Sequence, residues 1–84
     1  MAKFAGVELT DETIQKTRVW FHENALACIE EVRSGLVKVN DPESYFLWRE
    51  EQAADALKGN SDHTVAFLQK AYFIQTGESV ALLP

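Results

Sequence analysis

The amino-acid sequence predicts an all-α protein, a small bundle of three helices with short extended arms at its N- and C-termini. The helices are expected at about residues 11–33, 42–58 and 62–76. Each segment has a capping residue before it and a glycine after it. Each also carries apolar residues at helical spacing. Because 84 residues are enough for one core only, the chain is expected to be a single domain, 1–84.

The first helix has a strong start signal. Thr10 is suited to be its N-cap, and the two acidic residues that follow favour the positive end of the helix dipole. Leu9 and Ile14 occupy the two positions of a hydrophobic staple. Ser34-Gly35 predicts the end of the helix. The expected apolar stripe consists of Ile14, Phe21, Ala25, Cys28, Ile29 and Val32.

The second helix is expected to begin at Asp41-Pro42, because Asp is a favoured N-cap and Pro a favoured first residue. Gly59 predicts its end, Ser61 is the expected cap of the third helix, and Thr76-Gly77 predicts where that helix ends. A connection of only about three residues predicts that these two helices are neighbours, either antiparallel or sharply angled. The expected buried face of the second helix consists of Phe46, Ala53 and Leu57, flanked by Tyr45 and Ala56.

Three stretches lie outside the predicted helices: Phe4–Leu9, Leu36–Val39 and Ser79–Leu83. These stretches could form a small two-stranded ribbon or could be arms that pack over the helices. The second structure is favoured. The stretch Val80–Leu83 is too apolar to prefer solvent. It is expected to dock on the bundle or on a partner.

The third helix is apolar around its whole circumference. Its apolar residues are Val65, Ala66, Phe67, Leu68, Ala71, Tyr72, Phe73 and Ile74. At about 100° per residue, these side chains surround the helix, whereas a surface helix keeps them in one stripe. Either the rest of the bundle or another protein chain is therefore expected to cover it.

The two tryptophans lie off the main apolar stripes. Trp20 is about 120° from the centre of the first helix's stripe, and Trp48 lies on the polar side of the second helix. Burial beneath the arms or the third helix is the favoured interpretation. A protein interface is the alternative, because tryptophan is enriched there. The candidate partner-binding residues are Trp20, Trp48, Phe67, Ala71, Phe73 and Ile74.

Charge and hydropathy bear on location and partners. The net charge of −5 argues against nonspecific binding to phosphate backbones. Residues Met1–Glu12 lack the pattern of a secretory signal. The longest apolar runs, Ala25–Ile29 and Val80–Leu83, are far shorter than the roughly 20 residues that span a bilayer. With one cysteine and no such run, the expected location is the cytoplasm, without membrane contact.

No residue pattern indicates a catalytic or metal site. His22, His63 and Cys28 do not occur at the spacing of metal ligands, and Cys28 is expected to be a small buried hydrophobe. The pairs Glu30-Glu31 and Glu50-Glu51 point about 100° apart on a helix, so they do not converge as an acid and base. The sequence also lacks a glycine-rich phosphate loop and a nucleophile elbow. No enzymatic activity, metal or cofactor is expected.

Residues 52–68 contain, in order, the pair Ala53-Ala54, Leu57, Gly59, Ser61 and Thr64-Val65. This stretch resembles a helix-turn-helix DNA-binding motif. The resemblance implies a regulator that binds DNA as a dimer through residues 52–70. The groove-facing residues would be His63, Thr64, Gln69 and Lys70.

The sequence therefore predicts a small acidic helical protein–protein interaction module without catalytic activity: an adaptor, an inhibitor or a homodimeric accessory protein. A helix-turn-helix regulator is the alternative. It is disfavoured because the would-be recognition helix opens with Asp62 and has only Lys70 as a cation. A chain of this type is also compatible with a mobile-element protein directed at a host target.

Overall fold

The computed structural model describes residues 3–80, and the three-helix bundle predicted from the sequence is confirmed. In chain order, the elements are β1 (Lys3–Phe4), β2 (Val7–Glu8), α1 (Asp11–Arg33), α2 (Pro42–Lys58) and α3 (Val65–Thr76). The bounds of α1 and α2 agree with the prediction. Among residues 3–80, no helix is long and apolar enough to cross a membrane.

Local capping explains where α1 and α2 begin and end. Thr10 Oγ1 accepts a hydrogen bond from the Thr13 N–H at 3.1 Å. Asp41 Oδ1 accepts one from the Ser44 N–H at 3.2 Å. After α2, Gly59 has the left-handed φ of 82° that ends many helices. These interactions span a few residues each, which is why the sequence alone predicts them.

The start of α3 differs from the prediction of residue 62, because a later residue caps the helix. Thr64 is the N-cap, with extended backbone and an Oγ1 that accepts from the Phe67 N–H at 3.2 Å. The Thr64 hydroxyl also donates to the carbonyl of Ser61, the expected cap, at 3.0 Å. Residues 61–64 therefore lie in a turn before α3, and His63 is part of that turn.

An ion pair holds the α2–α3 connection against α1. Arg18 Nε donates to both carboxylate oxygens of Asp62, at 3.2 and 3.1 Å, and Arg18 Nη2 donates to one of them. This hydrogen bonding raises the pKa of Arg18, which favours the charged guanidinium. A Cβ on Gly59 would lie 3.1 Å from Arg18 Nη2. The glycine thus leaves room for the ion pair as well as ending the helix.

Helices α2 and α3 both pack on α1 and hardly touch each other, so the prediction that they are neighbours is wrong. Arg33 stacks on Phe46 at 5.5 Å, whereas Arg18, near the other end of α1, lies beside Gly59. This order makes α1 and α2 antiparallel. Because α3 starts late, the connection is residues 59–64 instead of three residues, long enough for α3 to reach a different side of α1.

The hydrophobic core lies where α3 meets α1 and the segment before α1. Leu9, Phe67 and Ala71 form one cluster, and each is at most 1% exposed. The Phe67 ring stacks on Phe21, with centroids 5.8 Å apart and 21° between the planes. Phe67 and Ala71, which are partner-binding candidates from the sequence, are therefore core residues. Their burial by α1 and the N-terminal segment accounts for much of the apolar surplus of α3.

The α1–α2 pair buries small side chains and two threonines. The buried residues of this pair of helices are Thr13, Thr17, Ala25, Ile29, Ala53 and Ala56. The buried hydroxyl of Thr17 has a hydrogen-bond partner, because it donates to the Thr13 carbonyl at 2.7 Å. Leu57, expected on the buried face, is instead 49% exposed, because the face of α2 turned to α1 is centred on the two alanines.

Residues 3–8 form a hairpin, so the ribbon occurs within the N-terminal arm alone. Its turn residues Ala5 and Gly6 have φ of 51° and 79°, the positive values that a tight hairpin turn requires. Phe4 contacts the Tyr72 ring edge-on at 6.2 Å. The hairpin thereby packs against α3.

A side-chain amide ties the end of α3 to the segment before α1. Gln75 Oε1 accepts from the Thr10 N–H, and Gln75 Nε2 donates to the Glu8 carbonyl, each at 3.0 Å. We call this pair of hydrogen bonds the Gln75 bridge. It satisfies two backbone groups that neither the hairpin nor α1 pairs.

The other two arms show no strand among residues 3–80. Leu36 and Val37 follow α1 and are 76% and 41% exposed. Of the predicted arm Ser79–Leu83, only residues 79–80 are described, and the docking predicted for residues 81–83 lies outside the described residues.

We expect the N-cap of α2 to weaken in acid. The Ser44 hydroxyl and N–H both donate to Asp41, and these hydrogen bonds lower the pKa of that carboxyl. Because the folded pKa is depressed, the stabilisation is present above the unfolded pKa and is lost as the pH falls through the folded pKa. A carbon-13 titration of the Asp41 carboxyl should give a midpoint below the ordinary value of 3.8. Asp41→Asn keeps a good cap and should remove the titration; a wild-type midpoint at or above the ordinary value would contradict the role of Asp41.

Candidate functional site

A cleft of about 570 Å³, called the larger cleft below, lies between α1, α3 and the segment after α3. The side chains that define its walls are Trp20, Asn24, Gln69, Lys70, Phe73 and Val80. Gln69 Nε2 donates to the Val80 carbonyl at 3.2 Å, which holds the chain after α3 along the cleft. The walls are therefore aromatic, aliphatic and amide, with one cation.

Lys70 lies between two half-exposed aromatic rings of the larger cleft. Its Nζ is 4.2 Å from the Trp20 ring centroid and 5.1 Å from the Phe73 centroid. Trp20 also rests edge-on against Phe21, with centroids 5.0 Å apart. Cation–π attraction at these distances holds the ammonium group near the rings. Even so, Trp20 is 39% and Phe73 is 44% exposed.

A smaller cleft of about 310 Å³ lies between α1, α2 and the α2–α3 connection. Phe21, Asn24 and Ala66 line both clefts, so the two clefts are adjacent. On the α2 side, the smaller cleft is lined by Arg49 and Gln52. We call the two clefts together the groove; it runs across all three helices.

Arg49 occupies the α2 end of the groove in a defined geometry. Its Nε donates to the Tyr45 hydroxyl at 3.1 Å, and its Nη1 donates to Gln52 Oε1 at 2.9 Å. The guanidinium carbon lies 4.4 Å from the Trp48 ring centroid and 5.3 Å from that of Tyr45. Trp48 is 50% exposed. Each end of the groove thus has a cation stacked on a tryptophan.

The structure separates the six partner-binding candidates into three groups. Trp20 and Phe73 line the groove, and Trp48 lies beside it under Arg49. Ile74 is half-buried and lines neither cleft, while the remaining two candidates are in the core. The favoured interpretation, burial of both tryptophans, is wrong, because Trp20 and Trp48 are both exposed. Lys70 of α3 covers one face of Trp20, and neither α3 nor the described part of the arms covers Trp48.

The four residues of the helix-turn-helix alternative do not share one exposed row. His63 and Thr64 are exposed in the turn before α3. Gln69 and Lys70 are turned toward the groove, where one bonds to a carbonyl and the other stacks on Trp20. A helix-turn-helix has a turn of about three or four residues between its helices. Here residues 59–64 separate two helices that hardly touch.

Arg49 of the groove and Tyr45 beside it were not singled out as binding residues from the sequence. Tyr45 and Arg49 are four positions apart on α2, a spacing at which side chains meet on a helix. That spacing is the signal that was missed. The stacking of Lys70 on Trp20 joins two helices and has no counterpart in the local sequence pattern.

The chemical groups that line the groove are suited to binding a ligand. Arg49 and Lys70 are the charged side chains among its lining residues. Cys28 is a half-buried free thiol, and His22 Nδ1 lies 3.0 Å from the Ala53 carbonyl. Within residues 3–80, no group of three or more His, Cys, Asp or Glu side chains converges as a set of metal ligands. What the groove presents to a ligand is aromatic surface, amide groups and two cations.

The candidate site is a concave surface shared by three helices, with a half-exposed tryptophan and a stacked cation at each end. Aromatic and arginine side chains are the types most enriched at protein interfaces. No family model, curated protein or solved structure matches this chain significantly.

Proposed function

We propose that this chain is a non-catalytic protein-binding module and that the groove, with its neighbouring aromatic rings, is its binding face. The observation that carries the proposal is the exposure of Trp20, Trp48 and Phe73, at 39%, 50% and 44%, beside one concave surface. Covering large rings of this kind is a major source of binding free energy, and tryptophan dominates interface hot spots.

The module would serve as an adaptor, as an inhibitor of a larger protein, or as a homodimeric accessory protein. A cytoplasmic location fits a chain with the single cysteine Cys28, which has no partner for an intramolecular disulfide. A mobile-element protein aimed at a host target would use the same binding face.

Two aromatic substitutions test this proposal. The pair Trp20→Ala with Phe73→Ala should leave helical circular dichroism intact and weaken partner binding by roughly 30-fold or more, because both rings are candidate hot spots. The matched control is Leu26→Ala with Leu36→Ala, two leucines that are 45% and 76% exposed and line neither cleft. Partners are captured from the host with wild type, purified, and titrated calorimetrically against both variants.

Three outcomes decide between the proposed function and its alternatives. A partner whose affinity falls with the groove pair and not with the leucine pair supports a protein-binding module. Equal loss with both pairs, or a strict monomer in sedimentation equilibrium with no captured partner, removes it. The alternative, a helix-turn-helix regulator that uses residues 52–70, requires a gel shift on random-site DNA at low salt that fades as salt rises.

A further inference from the structure

The charge of the groove is opposite to the charge of the whole chain. The sequence has 13 acidic residues against 8 Lys and Arg, which gives a net charge of −5. Nevertheless, the part of the chain from 3 to 80 contributes no Asp or Glu to the lining of the two clefts, and the two charged residues that it does contribute, Arg49 and Lys70, are both cations. The groove therefore favours negative groups although the molecule as a whole is acidic.

Within residues 3–80, neither groove cation is paired with a carboxylate. The ion pairs of that part of the chain use Lys16, Arg18 and Arg33. Arg49 instead bonds to the neutral Tyr45 and Gln52 through Nε and Nη1, and so keeps Nη2 for another acceptor. The ammonium group of Lys70 faces two rings, and none of its three N–H donors bonds to another residue of the described range 3–80.

Both cations are also held in place before any ligand arrives. Stacking on Trp48 fixes Arg49, and stacking on Trp20 fixes Lys70. Ordering a long charged side chain normally costs conformational entropy on binding, and here that cost is already met within the folded chain. Between the two cations, Phe21 and Ala66 give the groove an apolar floor.

We propose that the partner presents an acidic amphipathic segment to the groove, an inference that rests on the proposed function. A bulky apolar side chain of that segment packs on the exposed parts of the Trp20 and Phe73 rings, and flanking carboxylates pair with Lys70 and Arg49. An amphipathic helix laid in a groove is a common form of this recognition. The two positive ends supply the specificity for acidic residues.

Two other occupants of the groove are less favoured, a second copy of the chain because of symmetry and a nucleic acid because of charge. A second copy of the chain has an acidic and partly apolar outer face on α1, where Val19 and Leu26 are 37% and 45% exposed and Glu23 and Glu30 share the same side. Such a contact would be head-to-tail, which gives a ring or an open filament instead of the far commoner two-fold dimer. A single-stranded nucleic acid could stack its bases on the aromatic rings. It would meet only Arg49 and Lys70 as cations among the described groove residues, however, and the net charge of −5 would repel its phosphates.

The test pans a displayed library of random peptides of about sixteen residues, long enough for about four helical turns, against the whole chain. Selected peptides should be rich in Asp and Glu next to Trp, Phe or Leu. Arg49→Glu with Lys70→Glu should raise their Kd by roughly tenfold or more in fluorescence anisotropy. The control, Lys38→Glu with Lys58→Glu, makes the same change in net charge outside the groove and should alter the Kd by less than about twofold, as expected of exposed rim charges. If the first pair does not fold, Arg49→Gln with Lys70→Gln should shift the Kd in the same direction.

The outcomes separate this inference from the proposed function. Acidic peptides that depend on Arg49 and Lys70 but not on the control pair support it. Selected peptides that depend on Trp20 and Phe73 but are neutral or basic overturn the acidic partner and leave the protein-binding function standing. Peptides that are insensitive to every groove substitution overturn both. Self-association of the wild type through the groove, or tighter binding of an oligothymidylate than of any peptide, also overturns the acidic partner.

Discussion

Phe67→Ala is expected to lower the free energy of unfolding by about 3–5 kcal/mol, the usual cost of removing a buried phenylalanine ring. Phe67 is 1% exposed and stacks on Phe21 in the core cluster with Leu9 and Ala71. A domain of this size has a total stability of roughly 4–12 kcal/mol. The loss is a large share of that stability, so urea denaturation followed by circular dichroism should show a much lower unfolding midpoint for the variant.

Phe73→Ala is the matched control for Phe67→Ala. It removes the same ring from the same helix, but Phe73 is 44% exposed and lies over Lys70 at the groove. Its cost should be about 1 kcal/mol, typical of a half-exposed site. If the two variants lose the same stability, the side of α3 assigned to the core is wrong.

Leu9→Ala is expected to cost about 2–4 kcal/mol, although Leu9 precedes α1 and belongs to no helix. Leu9 is 1% exposed and contacts the same core cluster as Phe67 and Ala71. Truncation leaves a cavity there and removes one side of the hydrophobic staple with Ile14. Urea unfolding of the variant should show a lower midpoint with an unchanged slope.

Leu36→Ala provides the reference for Leu9→Ala. It deletes the same atoms from another loop position, but Leu36 is 76% exposed. Its effect should be within about 0.5 kcal/mol of zero. A Leu9→Ala variant as stable as Leu36→Ala would mean that the segment before α1 does not pack on the core.

The helix ends that the sequence predicts correctly depend on contacts within a single turn. Thr10 and Asp41 act on residues three positions away, so their role is visible in the chain. The start of α3 was misplaced because Ser61 and Thr64 are both good caps at successive turns. The choice between them depends on the tertiary setting, where Asp62 is bound to α1 through Arg18.

The candidate site was predictable only in part. An apolar residue at every angle of α3 does not reveal which side meets α1, so Phe67 and Phe73 look equivalent in the sequence. Only their positions against α1 separate a core ring from a groove ring. The association of Lys70 with Trp20 likewise joins residues far apart in the chain. The tryptophans were identified from the sequence because their distance from the main stripes is a local property of each helix.

The Gln75 bridge has a consequence for the order of folding. It joins Gln75 to Thr10 and Glu8, which are 65 and 67 positions earlier in the chain. The core contact between Leu9 and Phe67 spans a similar distance in sequence. By contrast, only a short connection joins α1 and α2. Closing long loops costs more entropy and slows folding. We therefore expect α1 and α2 to pair early and the segments on either side of them to join last. The groove, which needs α3 in place, would then exist only after the slowest step of folding is complete.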